Sequence, residues 1–260
     1  MSTILDLLHY PRLNCLAETD LSKTFPDLTG PAEWYGHPPA LIPVLSDGSL
    51  PAYLGVWYNW FKPEQSSFVG MSVSNNYMLS ELARNEHQAV IYLCARSIVG
   101  ADGVTAEILH LATKLGISAD ELAQIDEITI ETGDDPEGLL ELSAFKSSSP
   151  KECNPEGYNG YFPYQESENL MQNTIFEFDF PPSQENAPWL DNQSNKIDLF
   201  ERALEAGDLT QAWLLLNASG WPFRLAAKAL RKLSAAKNDL TFRLFCSAWI
   251  EQAEHYDGGY

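Results

Sequence analysis

The sequence is poor in the features that would announce a chemistry. Its four cysteines, Cys15, Cys94, Cys153 and Cys246, are widely spaced and form no C-x-x-C pair. Disulfide frameworks and zinc ribbons need closer, paired spacing, so free thiols in a reducing compartment are the simplest account. The five histidines are equally scattered and offer zinc no ligand set. There is no P-loop, no G-x-G-x-x-G and no H-E-x-x-H. No apolar run reaches the roughly eighteen residues of a membrane-crossing helix. The opening MSTILDLLHYPRLN lacks a basic segment followed by a long apolar one, so no signal peptide is expected and the expected location is cytoplasmic.

Basic residues are scarce too. There are 16 Lys and Arg against 36 Asp and Glu, a net charge of −20. Residues 1–195 carry 8 basic against 28 acidic side chains, and residues 196–260 carry 8 of each. A phosphate backbone needs a basic face, so nucleic acid is not expected as a direct ligand. The imbalance suits a basic protein partner or simple solubility.

What is present is enough apolar material for a core: 45% hydrophobic residues, 12% aromatic. The clearest pattern is at residues 39–74. Leu41, Ile42, Val44 and Leu45 form an apolar run that ends at Ser46-Asp47-Gly48-Ser49, a turn by its Asp and Gly chemistry. Tyr53 to Phe61 is rich in aromatic and β-branched residues and pairs with that run as a hairpin. Phe68 to Val73 supplies a third strand. The meander needs a second layer to cover its aromatic side chains.

Elsewhere the reading is helical. A short helix is expected near Ile4–Leu8, followed by irregular chain through the prolines at 11, 26, 31 and 38. Tyr77 to Arg84 reads as a helix. His87 to Val99 fits a buried strand or a helix, and Glu86 before it and Gly100 after it favour the helix. Val104, Ile108, Leu111, Ala112 and Leu115 share a face, with Gly116 as the stop. Ser118-Ala119-Asp120-Glu121 is a capping box that starts the next helix. Ile128-Thr129-Ile130 reads as a short strand in an acidic region. Residues 147–195 read as long loops plus one strand at Thr174–Phe180. After Lys196 come four helices with short turns, with caps at Asp208 and Asp239 and a start at Trp221-Pro222. Arg224, Lys228, Arg231 and Lys232 give the third of them a basic face. The expected fold class is α+β: a small antiparallel sheet with flanking helices, then a C-terminal all-α helical unit. The expected organisation is an α+β domain over residues 1–180, a linker over 181–195, and two helical hairpins over 196–260.

Three stretches carry candidate chemistry. Gly70-Met71-Ser72-Val73-Ser74 follows a strand and approaches the G-x-S-x-G nucleophile elbow, with Asp102 and His110 downstream. Its last glycine is replaced by Ser74 and no oxyanion-loop motif is present, so a polar strand end is the better reading. Asp134-Asp135-Pro136-Glu137-Gly138 lacks the alternating ligand spacing of a calcium loop and reads as a solvated turn. Residues 152–169 interleave Tyr158, Tyr161, Phe162 and Tyr164 with Asn, Gly, Glu166 and Glu168. Rigid aromatics among small polar residues are the composition of binding loops, and also of loops folded back on their own core.

At LIPVLSDGSLPAYLGVWYNW the chain resembles the SUKH superfamily, whose members commonly serve as immunity proteins against bacterial toxins. The resemblance rests on Ile42-Pro43-Val44, the turn Ser46-Asp47-Gly48 and the strand opening Tyr53-Leu54-Gly55-Val56, and covers about residues 30–115. The early Leu-Pro-x-x-Tyr and Asn-Gly-Gly turn of that family are replaced here by His37-Pro38-Pro39. The resemblance implies an antitoxin without enzymatic activity, cofactor or metal, whose partner is a cognate toxin, basic in character, such as a nuclease. It transfers no catalytic residue. The expected contact surface comprises Asp126, Glu127, Glu131, Asp134, Asp135 and Glu137, which would steer a basic partner, and Tyr158, Tyr161, Phe162, Tyr164, Glu166 and Glu168. Two alternatives stand beside it: an adaptor or chaperone for a secreted effector, and a serine hydrolase built on Ser72.

Overall fold

The computed structural model describes residues 2–30, 32–47, 51–61, 67–74, 77–133, 136–146, 172–173, 194–218 and 220–260. The fold is α+β. Six strands form one antiparallel sheet in sequence order: β1 (Leu28–Thr29), β2 (Leu41–Asp47), β3 (Ala52–Trp57), β4 (Ser67–Ser72), β5 (Met78–Ala83) and β6 (Gln172–Asn173). The hairpin expected from the sequence is β2–β3, with Ile42 opposite Val56 and Ser46 opposite Tyr53, and β4 continues the meander. Pleating divides the apolar side chains between two faces. Ile42, Val44, Leu54, Val56 and Phe68 join the main core, whereas Leu41, Tyr53, Val69, Met71 and Leu79 form a smaller cluster on the other face.

Three helices pack on the main-core side: α1 (Ser2–Leu7), α2 (Pro11–Ala17) and α3 (Glu86–Ala101). The helix expected over 87–99 is α3, capped by Asn85, whose side chain accepts from the Gln88 amide. It is followed by α4 (Ala106–Lys114) and α5 (Ala119–Thr132), then the single turns α6 (Pro136–Leu139) and α7 (Ser143–Lys146). Ser118 caps α5 as its sequence indicates, accepting from the Glu121 amide.

Three local expectations fail, two of them for a non-local reason. Tyr77–Arg84 is the strand β5, not a helix: β4 offers an open edge, and Gly70 opposite Ser80 and Met71 opposite Leu79 complete it. Tyr77 itself sits at φ 58°, turning the chain into that strand. Ile128-Thr129-Ile130 lies inside α5, because the Ser118 cap and the buried spacing Leu122, Ile125, Thr129 carry the helix through it. The chain after Leu8 is not irregular throughout: Pro11–Ala17 forms α2. Its first-turn amides, Arg12 N and Leu13 N, donate to Glu86 Oε1 at 2.6 and 2.9 Å, a cap supplied from more than seventy residues away. The second strand also ends sooner than its aromatics suggest. Beyond Trp57, Trp60 and Phe61 leave the sheet to meet other helices.

Those helices are α8 (Lys196–Glu205), α9 (Leu209–Leu216), α10 (Phe223–Ala236) and α11 (Leu240–Glu254). Asp208 and Asp239 cap α9 and α11 as expected. Pro222 is the residue just outside α10, with Phe223 first inside. The boundary expected at 181–195 lies almost wholly outside the described residues, as does the strand expected at Thr174–Phe180. On either side of it the described residues share one apolar cluster, from Leu5 to Tyr260. Trp60 packs on Phe242 at 5.1 Å between ring centres and Phe61 on Trp213 at 5.6 Å. Backbone is satisfied across the same seam. Ala40 N donates to Asn217 Oδ1 at 2.5 Å, and Trp249 Nε1 donates to His37 O at 3.2 Å. Among the described residues no helix is long and apolar enough to cross a membrane.

Gly36 lies against Phe223 of α10 in the same seam. It sits at φ 85°, and a Cβ there would overlap the Phe223 ring tip. Gly207 has a similar φ of 75° but open space around it. Gly36→Ala therefore combines backbone strain with overpacking and should cost about 2–4 kcal/mol, against about 1 kcal/mol for Gly207→Ala. Urea unfolding of both variants checks this; equal losses would mean that the Phe223 contact carries no weight.

Candidate functional site

The acidic surface expected from the sequence survives in part. Asp126, Glu127 and Glu131 fall on one arc of α5, opposite the buried Leu122, Ile125 and Thr129. In their midst Ile130 is 81% exposed, the highest exposure among the large apolar side chains described. None of the three carboxylates forms an ion pair among the described residues, and α5 contains no Lys or Arg. Asp134 and Asp135 lie outside the described residues, and of Glu137 only the backbone, in α6, is described. Tyr158, Tyr161, Phe162, Tyr164, Glu166 and Glu168 also lie outside them.

The base of α5 is held by a three-helix polar link. His87 Nδ1 is 2.6 Å from Arg12 Nη1, and its Nε2 is 2.7 Å from Glu121 Oε1. A guanidinium only donates, so Nδ1 must accept and the proton sits on Nε2, donating to Glu121. One neutral imidazole thus joins α2, α3 and α5 and orients the acidic helix on the body of the fold.

The basic face of α10 is largely neutralised. Arg224 pairs with Asp257 at 3.0 Å, Arg231 with Glu254 at 2.5 Å and Lys232 with Glu201 at 2.6 Å. Exposed pairs of this kind contribute little stability, but they cancel the field that a phosphate chain would need.

The hydrolase elements are not assembled. Ser72 Oγ lies 3.5 Å from Ser74 Oγ at the end of β4. His110 is on an exposed part of α4 and lines a pocket with Thr19, Asp20, Lys23 and Glu107; neither Ser72 nor Asp102 is among its walls. Asp102 is the left-handed residue that ends α3, at φ 56°. Among the described residues no group of three or more His, Cys, Asp or Glu is placed to hold a metal ion.

Sequence reasoning missed two buried titratable groups. Glu81, 1% exposed on β5, accepts from Ser67 Oγ at 2.5 Å and pairs with Arg84 Nε at 2.6 Å. Burial pushes its carboxyl up to about 7 in spite of Arg84 and the Ser67 hydroxyl, which pull it down. The residue was legible only with the strand: Val69 stands opposite Glu81 on β4, a pairing that a helical reading of Tyr77–Arg84 hides. His37 is fully buried, and its Nδ1 lies 3.0 Å from the Pro38 carbonyl, so Nδ1 carries the proton. Burial holds its pKa down at about 4.

The two groups oppose one another in their effect on stability. Glu81 has its pKa raised from 4.5 in the unfolded chain, so its contribution is present at low pH and is lost as pH rises through 7. His37 has its pKa lowered from 6.5, so its contribution is present above 6.5 and is lost as pH falls towards 4. Between these limits the slopes largely cancel. Glu81→Gln should uncover the His37 slope, and its stability relative to the parent should rise by on the order of 3 kcal/mol from pH 4.5 to pH 7. Urea unfolding at several pH values measures the difference; a pH-independent difference would mean that Glu81 ionises as freely folded as unfolded. Compared with protein-family models, with curated proteins and with solved structures, the chain matches none.

Proposed function

We propose that this chain is an immunity protein that binds and neutralises a cognate toxin of basic character, with α5 as part of the docking face. The observation that carries the reading is the exposed arc of α5. Ile130 stands in water among Asp126, Glu127 and Glu131, which have no counter-charge among the described residues. An apolar side chain framed by like charges suits association: the carboxylates steer a basic partner and the isoleucine adds buried area on contact. The neutralised α10 face and the net charge of −20 support a protein rather than a nucleic-acid partner. The resemblance of residues 30–115 to the SUKH superfamily supplies the more specific role. The antiparallel β2–β3–β4 meander that carries those residues is compatible with it. An adaptor for a secreted effector would share the acidity but would bind an unfolded or N-terminal segment rather than a folded toxin domain.

The test is to look for a toxin gene beside this protein's own, titrate the protein against its folded toxin domain and co-express the two for protection. Asp126→Lys, Glu127→Lys and Glu131→Lys together should slow association at least tenfold at low salt and flatten its salt dependence. Ile130→Ala should chiefly speed dissociation. If affinity and protection survive all four changes, the docking face lies elsewhere. Ser72→Ala should leave stability and protection at the parent level; loss of protection by a folded Ser72→Ala protein would favour the hydrolase.

A further inference from the structure

Between the sheet and the helices on its main-core side lies a pocket of ≈ 220 Å³. That is below the roughly 300–1,000 Å³ of small-molecule and cofactor sites, and suits a single side chain. Tyr10 and Leu13 from α2 and its approach, and Val56 and Phe68 from the sheet, make apolar walls. Arg84 and Glu86 make the polar end, where β5 turns into α3.

The charges at that end are unequal. Arg84 is matched at 2.6 Å by Glu81, which stands behind it. With Glu81 ionised this pair is neutral and Glu86 leaves the pocket net negative; with Glu81 protonated the pocket is neutral. In neither state is it positive. Glu86 Oε1 is occupied by the two α2 amides. Its second oxygen, Oε2, has no hydrogen-bond partner among the described residues, and Glu86 is only partly buried. An ammonium or guanidinium entering the pocket would meet that oxygen, with its methylene stem along Tyr10, Leu13, Val56 and Phe68, the way long cationic side chains bury their stems. The aromatic walls add attraction for a cation. An anion would meet Glu86 first.

From this arrangement we infer that the pocket is a socket for one lysine or arginine side chain of the basic partner. The identity of that partner rests on the function proposed above; the socket does not. It implies that the toxin's contact extends from the far end of α5 towards the α2–α3 junction, which Arg12, His87 and Glu121 tie together.

The experiment needs no partner. The uniformly labelled full chain is titrated with n-butylammonium, n-butylguanidinium, butyrate and n-butanol, following the NMR signals of Leu13, Val56 and Phe68. Both cations should shift these signals saturably in the millimolar range, with butyrate and butanol giving no saturable shift. Glu86→Gln, which keeps an oxygen for the two α2 amides, should weaken the cations at least fivefold while leaving the unfolding midpoint close to the parent's. No saturable shift with either cation overturns the socket. So does a saturable shift with butyrate, which would make Arg84 the reader of an anion, or cation binding unchanged in Glu86→Gln. Saturable cation binding with α5 reversals that leave toxin affinity intact would keep the socket and overturn the proposed docking face.

Discussion

The structure depends on the aromatic seam that closes around His37. Trp34, Tyr53 and Trp249 surround its imidazole, with ring centres 4.6, 5.2 and 6.4 Å away. Tyr53 reaches from the minor face of the sheet and its hydroxyl accepts from the Tyr35 amide at 2.5 Å. Trp249 reaches from α11. The contact joins the acidic sheet-bearing part to the charge-balanced helices, and it tolerates only a neutral histidine. Aromatic contacts of this kind add to their area burial through edge-to-face geometry. Gly36 is required beside it because the backbone passes too close to Phe223 for any Cβ.

The last residues close the same seam from outside. Pro222 and Gly259 form an antiparallel bridge, and Gly220 N and Trp221 N both donate to Tyr260 O at 2.7 and 3.1 Å. Tyr77, at the turn into β5, donates its hydroxyl to Gly259 O at 3.0 Å. The Tyr260 ring is buried and its hydroxyl donates to Leu216 O. These chain-end groups are spent on one another, whereas Trp34 Nε1, His37 Nε2 and Trp60 Nε1 are buried in the seam without a hydrogen-bond partner among the described residues, a cost that the ring packing has to offset. Charge without an ion-pair partner among the described residues remains, among other places, on α5 and at Glu86, both in the acidic part of the chain.

This division of charge separates scaffold from surface. On α10 Arg224, Arg231 and Lys232 face carboxylates from the chain beyond α11, α11 and α8, so three of the four basic side chains of that face are neutralised. On α5 Asp126, Glu127 and Glu131 form no ion pair among the described residues. A fold gains nothing from keeping such charges together, because like charges on one helix destabilise it slightly. Their grouping beside an exposed isoleucine is consistent with the docking face proposed above.

The elements legible in the sequence were those with a local cause. Ser118, Asp208 and Asp239 cap their own helices, and the apolar run ending at Ser46-Asp47-Gly48-Ser49 marks the β2–β3 hairpin. The α+β class was legible from such local signals, and the acidity from composition. What failed locally was decided at a distance. The chain at Pro11 becomes helical because Glu86 caps it, and Tyr77–Arg84 becomes a strand because β4 presents an edge. The strand running into Trp60 and Phe61 breaks off because α9 and α11 offer those rings a deeper burial. Glu81 and His37 look like ordinary polar residues in one dimension; burial, against the opposing pull of their partners, moves their pKa values to about 7 and about 4. The acidic stretch around Asp126 was visible as composition, but only the helix sorted it, placing three carboxylates and Ile130 on one exposed arc. Local hydrogen bonds and side-chain periodicity are written in neighbouring residues. Desolvation, edge pairing and caps donated from afar depend on which surfaces meet, and those exist only once the chain has folded.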